Sequence, residues 1–137
     1  MGTVYAEITL RNAFDAKKAS EGLIEEQNVR SVTVNAVVDT GAMSLVITEE
    51  LRQKLGLTIT GEKFARIANG ERAPCGVTEA VGIHWKNRNT TLPAVVIPGA
   101  ETVLLGAIPL EDMDLMVKPV TGELVGAHGD TVEFMAL

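Results

Sequence analysis

From Arg30 to Val38 the chain alternates, with Val32, Val34, Ala36 and Val38 on one face, and then runs directly into Asp39-Thr40-Gly41-Ala42. A period of two is the signature of a β-strand. A strand of this kind that ends on an acid constrains the fold strongly, because a buried lone carboxylate is costly unless it is paired, bonded or neutralised. Thr40 can bond to backbone, and Gly41 permits a tight turn that brings amide N–H groups to the carboxylate. The sequence therefore predicts Asp39 at the end of a buried strand, heading a loop. Taken alone, the tripeptide reads more readily as an Asx-type turn that closes a strand. The rest of the chain decides between the two.

Further β segments are legible at Val4–Leu10, Ser44–Ile47, Phe64–Ala68, Val77–Trp85, Thr91–Ile97 and Thr102–Leu105, with weaker ones at Leu115–Lys118 and Glu123–Val125. Turn signals separate them at Asn69-Gly70, Lys86–Asn89, Pro98-Gly99 and Thr121-Gly122. One short helix is expected after Thr48. Glu49 and Glu50 suit its positive end, Leu51 and Leu55 lie one turn apart, and Gly56 stops it. Pro109–Met113 has the makings of a single extra turn, and the polar Asp15–Asn28 stretch reads as a surface excursion with some helical character. There is no repeat and no linker, so residues 1–137 are expected to form one mostly-β domain. Apolar residues make up 46% and aromatics only 4%, so its core must be built mainly from Val, Ile, Leu and Ala.

Several function classes are disfavoured. A net charge of -6 opposes binding to nucleic acid. A single cysteine, Cys75, excludes an intrachain disulfide and a cysteine-based metal site, and fits a reducing compartment. The first residues lack a secretory leader's pattern. Gly2 invites myristoylation, but Ala6 stands where Ser or Thr is wanted. No apolar run approaches the roughly 20 residues of a membrane span. The expectation is a cytoplasmic protein with no metal, cofactor, membrane or nucleic-acid partner. Asp39–Ser44 is similar to a phosphate loop of actin-like ATPases, but the chain is far too short for that two-lobed fold. His84 and His128 read as solvated or hydrogen-bonded, and Cys75 as a small core residue. Glu111-Asp112-Met113-Asp114 lacks the spacing of a calcium loop and reads as a solvated helix face.

About thirty residues after Asp39, Ala65–Arg72 runs a strand into an Asn-Gly turn, and Thr102-Val103-Leu104-Leu105-Gly106 then precedes Pro109-Leu110. In order and spacing these segments resemble the retroviral-like aspartic proteases, the retropepsin group, in a bacterial-type single-domain form. The resemblance runs from Ser31 to Val117. It implies a mostly-β, closed barrel of the retropepsin type with one short helix and half an active site per chain. It makes Asp39 the catalytic acid/base, has Thr40 bond across a dimer, and gives the Gly41 amide to the carboxylates. Ala42 would line the cleft, with Ala68, Asn69 and Gly70 at the tip of a flap. Leu104, Leu105 and Gly106 would pack behind the loop, with Leu105 also counted on the substrate side. This sequence departs from the viral pattern in a flap with one obvious glycine and in Ala107 and Ile108, which stand where a charged or amide residue is common.

The chemistry needs two carboxylates around one water, one to take its proton while the other polarises the peptide carbonyl. The chain holds one such motif, so a second Asp39 must come from a second copy. The implied protein is a homodimer that hydrolyses a peptide or protein substrate through a tetrahedral diol, with no acyl-enzyme. The apolar tail Thr131–Leu137 is expected to find cover as an intermolecular strand. The reading from a different class is a non-catalytic dimeric peptide-binding module that keeps the fold. Retention of Asp39 favours chemistry.

Overall fold

The computed structural model describes residues 2–136. In chain order the elements are β1 (Tyr5–Asn12), α1 (Ala13–Ser20), a 3-10 turn (Glu26–Asn28), β2 (Ser31–Val38), β3 (Leu45–Ile47), α2 (Glu49–Lys54), β4 (Ile59–Arg66), β5 (Arg72–Trp85), β6 (Arg88–Val96), β7 (Leu104–Leu105), α3 (Ala107–Asp112), β8 (Leu115–Lys118) and β9 (Glu123–Gly126). Seven strands form one sheet in the order β1-β2-β7-β3-β6-β5-β4, while β8 and β9 make a separate hairpin. The far half of β5 also pairs with β1, from Thr9 opposite His84 to Asn12 opposite Val81.

The expected helix is α2, where the Thr48 hydroxyl accepts from the Leu51 N–H at 3.1 Å. Two further short helices accompany it. The polar composition of the Asp15–Asn28 stretch conceals α1, whose polar groups serve as anchors rather than as a solvated surface. The Asn12 side chain caps α1 by accepting from Asp15 N–H and donates to the Leu55 carbonyl at 2.8 Å. Asp15 is itself buried, and its carboxylate accepts the Arg30 Nε and Nη2 donors at 2.8 and 2.9 Å. Those bonds from the guanidinium hold the Asp15 carboxyl below its ordinary range. Together these contacts fix the start of β2.

The core is aliphatic, as the composition requires. Ile8, Leu10, Leu45, Ile47, Leu55, Leu57, Ile83 and Leu105 are all but fully enclosed. β4 departs from this pattern: of its residues only Ala65 is not fully exposed. With no core on either face it carries no alternation, so the sequence placed this strand several residues late. Its pairing with β5, from Ile59 opposite Thr78 through a register shift to Arg66 opposite Arg72, sets its true extent.

Glu111 and Asp112 are exposed on α3, as expected of a solvated helix face, but the end of the acidic run is not. Met113 is fully enclosed and Asp114 is buried at a positive φ of 54°. The Arg88 guanidinium, also buried, donates to the carbonyls of Met113, Asp114 and Gly129. The Asp114 carboxylate meets His128 Nδ1 at 2.7 Å and accepts the Glu133 N–H at 3.0 Å, which clamps residues 128–133 to the domain. Beyond the clamp, Phe134 and Met135 are exposed, and no strand forms over residues 131–136 within the chain. Leu137 lies outside the described residues.

The clamp is pH-sensitive. The bond between the two side chains holds the Asp114 carboxyl below its ordinary value and the His128 imidazole above its own. Glu133 adds to the rise at His128 and Arg88 opposes it. A raised histidine stabilises below its unfolded pKa and loses that contribution as pH rises through the folded value. A depressed aspartate does the reverse on acidification. The clamp is therefore strongest between about pH 4 and pH 6.5. Protection of the Glu133 amide, corrected for intrinsic exchange, should fall from pH 5.5 to pH 8.5. In His128→Ala that fall should vanish. A persistent fall would place the titrating group elsewhere.

Candidate active site

Asp39 sits at the carboxyl end of β2, where the chain leaves the sheet. Its N–H donates to the Leu105 carbonyl at 3.0 Å, which extends the parallel pairing of Val37 with Leu104 and Val38 with Leu105. Its carboxylate Oδ1 accepts the Gly41 N–H at 2.9 Å, and the Ala42 N–H closes the turn on the Asp39 carbonyl at 3.1 Å. This local turn is the one that Asp-Thr-Gly encodes, with an amide aimed at the acid as a charge-assisted bond. A Cβ on Gly41 would lie 3.1 Å from that oxygen, so a larger residue crowds the acid.

The loop is held from behind by the two-residue strand β7. It lies between β2, to which it is parallel, and β3, to which it is antiparallel, so Leu105 faces both Val38 and Leu45. The chain therefore leaves β2, forms the Asp39 loop and returns as β3 on the far side of β7. Gly106 makes the crossing possible. A Cβ there would stand 2.3 Å from the Ser44 carbonyl oxygen and 2.7 Å from that of Ala42. Both obstacles are backbone and cannot rotate away. Gly106→Ala should destabilise the fold by about 3 kcal/mol, lowering Tm by about 10 °C. A variant that melts with the parent would mean the loop has slack the packing does not suggest.

Beyond Gly106, the N–H groups of Ala107 and Ile108 donate to the carbonyls of Ala42 at 2.8 Å and Met43 at 2.9 Å. These residues stand where the viral enzymes often carry a polar side chain, and here main chain holds the loop. Sequence reading did not find these bonds, because no side-chain pattern announces a backbone donor.

The structure gathers Asp39, Thr40, Gly41 and Ala42 against Leu105 and Gly106. It also changes two expectations. β2 is not a buried strand within one chain: only Ala36 is fully enclosed, and Val32, Val34 and Val38 are half-buried. The valines face a core that covers one side only, and Asp39 is half-buried at its end. Leu105 has no exposed side chain to offer a substrate, being wholly enclosed in the core. It touches the site through its carbonyl.

Ala68, Asn69 and Gly70 form the exposed tip of the β4–β5 hairpin, with Gly70 at a φ of 85°. Hydrogen bonds within the hairpin shape it: Gly70 N–H to the Ile67 carbonyl, Glu71 N–H to Asn69 Oδ1, and Arg66 Nη1 to the Gly70 carbonyl, each at 2.9 Å. Cys75 is buried at its base, with Sγ 3.4 Å from the Ala73 carbonyl. His84 is part-buried, and that burial, with Arg11 nearby, lowers its imidazole below the ordinary value.

Concavities of about 860 and 600 Å³ lie away from Asp39. Thr40 is exposed, and its hydroxyl has no hydrogen-bond partner among the described residues. Among the same residues no cluster of three His, Cys, Asp or Glu side chains is placed to hold a metal, and no helix is long and apolar enough to cross a membrane.

The chain thus carries an Asp-Thr-Gly loop at a strand end of a mostly-β sheet, with a two-residue strand threaded behind it. The aspartyl protease family profile matches residues 26–108, and the chain belongs to that family. No curated protein matches it. Among solved structures it is similar to the retroviral protease-like domain of Ddi1 from Leishmania major, at 15% identity and a TM-score of 0.58 over 91% of this chain and 88% of that one. It also aligns with EIAV protease complexed with the inhibitor HBY-793, at 23% identity and a TM-score of 0.49 over 58% of this chain and 76% of that one.

Proposed function

We propose that the protein is an aspartic endopeptidase that acts as a homodimer in the cytoplasm. The observation that carries this reading is the state of Asp39 in one chain. Its carboxylate is oriented by the Gly41 N–H and its loop is braced by β7 and α3, while the sequence holds a single Asp-Thr-Gly. A second copy related by a two-fold axis supplies the second acid. The partnerless Thr40 hydroxyl supports the same reading, since it is free to bond the opposite loop.

In that dimer the two Asp39 carboxylates share one proton and one water. The ionised member takes the water's proton as it attacks the peptide carbonyl, and the protonated member donates to the developing oxyanion. Collapse of the tetrahedral diol releases both products. Ala42 lines the cleft floor, and Ala68, Asn69 and Gly70 close over the peptide as a flap. Leu105 serves from behind, through its carbonyl. The pairing of β5 with β1 supports a closed barrel as the frame that holds these parts.

The test is incubation of the purified protein with a diverse peptide library, read by mass spectrometry, beside Asp39→Asn. Cleavage by the parent and none by the variant supports the protease. Equal retention of peptides by both proteins, with cleavage by neither, supports the non-catalytic binding module.

A further inference from the structure

A concavity of about 860 Å³ lies along an open strand edge that the catalytic reading does not use. In antiparallel pairing with β1 the main-chain groups of β2 point alternately toward and away from that neighbour. The Val38 N–H donates to the Val4 carbonyl, so the even-numbered residues face β1. The odd-numbered ones face the other way. There the Val37 and Asp39 N–H groups meet the carbonyls of Val103 and Leu105. β7 then ends, and the N–H and C=O groups of Thr33 and Asn35 have no backbone partner among the described residues. Asn35 lines the groove with Val32 and Val34, and Thr33 continues the same open edge between those two valines. The charged groups that line it are three carboxylates, Glu49, Glu50 and Glu101, against one ammonium, Lys54. Glu50 is paired with Lys54 and Glu49 with Arg52, while Glu101 has no ion-pair partner among the described residues.

We propose that this groove docks an extended segment of a partner protein that adds as a strand to β2, with apolar and basic residues alternating. Main-chain bonds to Thr33 and Asn35 give such a strand its register. Its apolar side chains lie toward Val32 and Val34, and its basic ones meet the carboxylate rim. The open edge from Ser31 to Ala36 is about 20 Å long at roughly 3.3 Å per residue, which suits a segment of about six residues. An acidic segment of the same shape is repelled.

The probe is a capped hexapeptide of alternating lysine and valine, titrated against the full chain with backbone amides followed by NMR. Its shifts should cluster on β2, α2 and residues 99–103, with new exchange protection at the Thr33 and Asn35 amides. Asn35→Pro should weaken binding about tenfold. It removes a donor that no strand uses, so the β1 ladder is untouched and melting should stay close to the parent's. Glu101→Lys should weaken binding further as salt is lowered. Two peptides N-methylated on opposite sets of alternate amides read the same pairing on unaltered protein: one should lose binding and the other keep it. Equal tolerance of both methylation patterns, equal binding of a glutamate-valine hexapeptide, or shifts confined to the Asp39 loop would each overturn the proposal. None of these outcomes depends on whether the protein cleaves peptides.

Discussion

Asp39→Asn should lower peptide cleavage by a factor on the order of 10^3 to 10^4 while the fold and the dimer persist. The amide is nearly the size of the carboxylate, and its oxygen can still accept the Gly41 N–H that fixes the loop. What disappears is the base. An amide cannot take a proton from water at any accessible pH, so the diol is not formed. The change also removes the repulsion between two facing carboxylates, and dimer affinity should hold or rise. The checks are initial rates on a peptide identified by mass spectrometry, a melting curve, and sedimentation. Cleavage by the variant at the parental rate would remove Asp39 from the chemistry. Loss of rate with loss of fold would call for Asp39→Glu, which keeps the charge but displaces it.

Activity should also depend on chain concentration as no monomeric enzyme's does. Each chain brings one Asp39, so below the dimer dissociation constant the rate should rise with about the square of concentration and above it linearly. Excess Asp39→Asn chains should poison the parent. With nine variant chains per parent chain and random pairing, about a tenth of the parental activity should remain, because nearly every parent chain then faces an amide. A stable, fully active monomer at nanomolar concentration would sink the two-chain site. The exposed tail is the secondary question. Truncation after Asp130 should weaken the dimer if Phe134 and Met135 find cover on a partner, and should leave it unchanged if they do not.

The sequence made the site easier to read than the frame around it. Asp39, Gly41, Leu105 and Gly106 belong to motifs in which each residue type has a local reason: an acid that needs an amide, a turn that needs no Cβ, a crossing with no room for a side chain. Such reasons survive in the bare sequence. The β4 strand was placed late, with only its end at Phe64–Arg66 read, because its side chains are exposed on both faces and alternation arises only where one face is buried. The helix α1 was obscured for the opposite reason, since Asn12 and Asp15 look like surface residues until Leu55 and Arg30 are placed beside them. Asp114 misled in the same way, its burial being compensated by Arg88 and His128 from distant segments. The substrate side of Leu105 failed because an apolar pair in a two-residue strand does not say which face is enclosed. The open edge of β2 was invisible, since main-chain groups carry no sequence signal.

The strand β7 has a consequence for when the site comes into being. Val37 must find Leu104, and nothing between them can stand in for the contact. Pairings so distant along the chain carry a large loop-closure entropy and form late. A polypeptide emerging from the ribosome can build β1, β2 and the Asp39 turn long before β7 exists, but the turn lacks its brace until the last quarter of the chain arrives. The acid is thus present early and competent late. Nascent chains and fragments that stop before Leu104 should carry an Asp39 loop that no pairing holds in shape, and in the proposed protease the same delay would keep hydrolysis out of the period when the chain's own peptide bonds are most accessible.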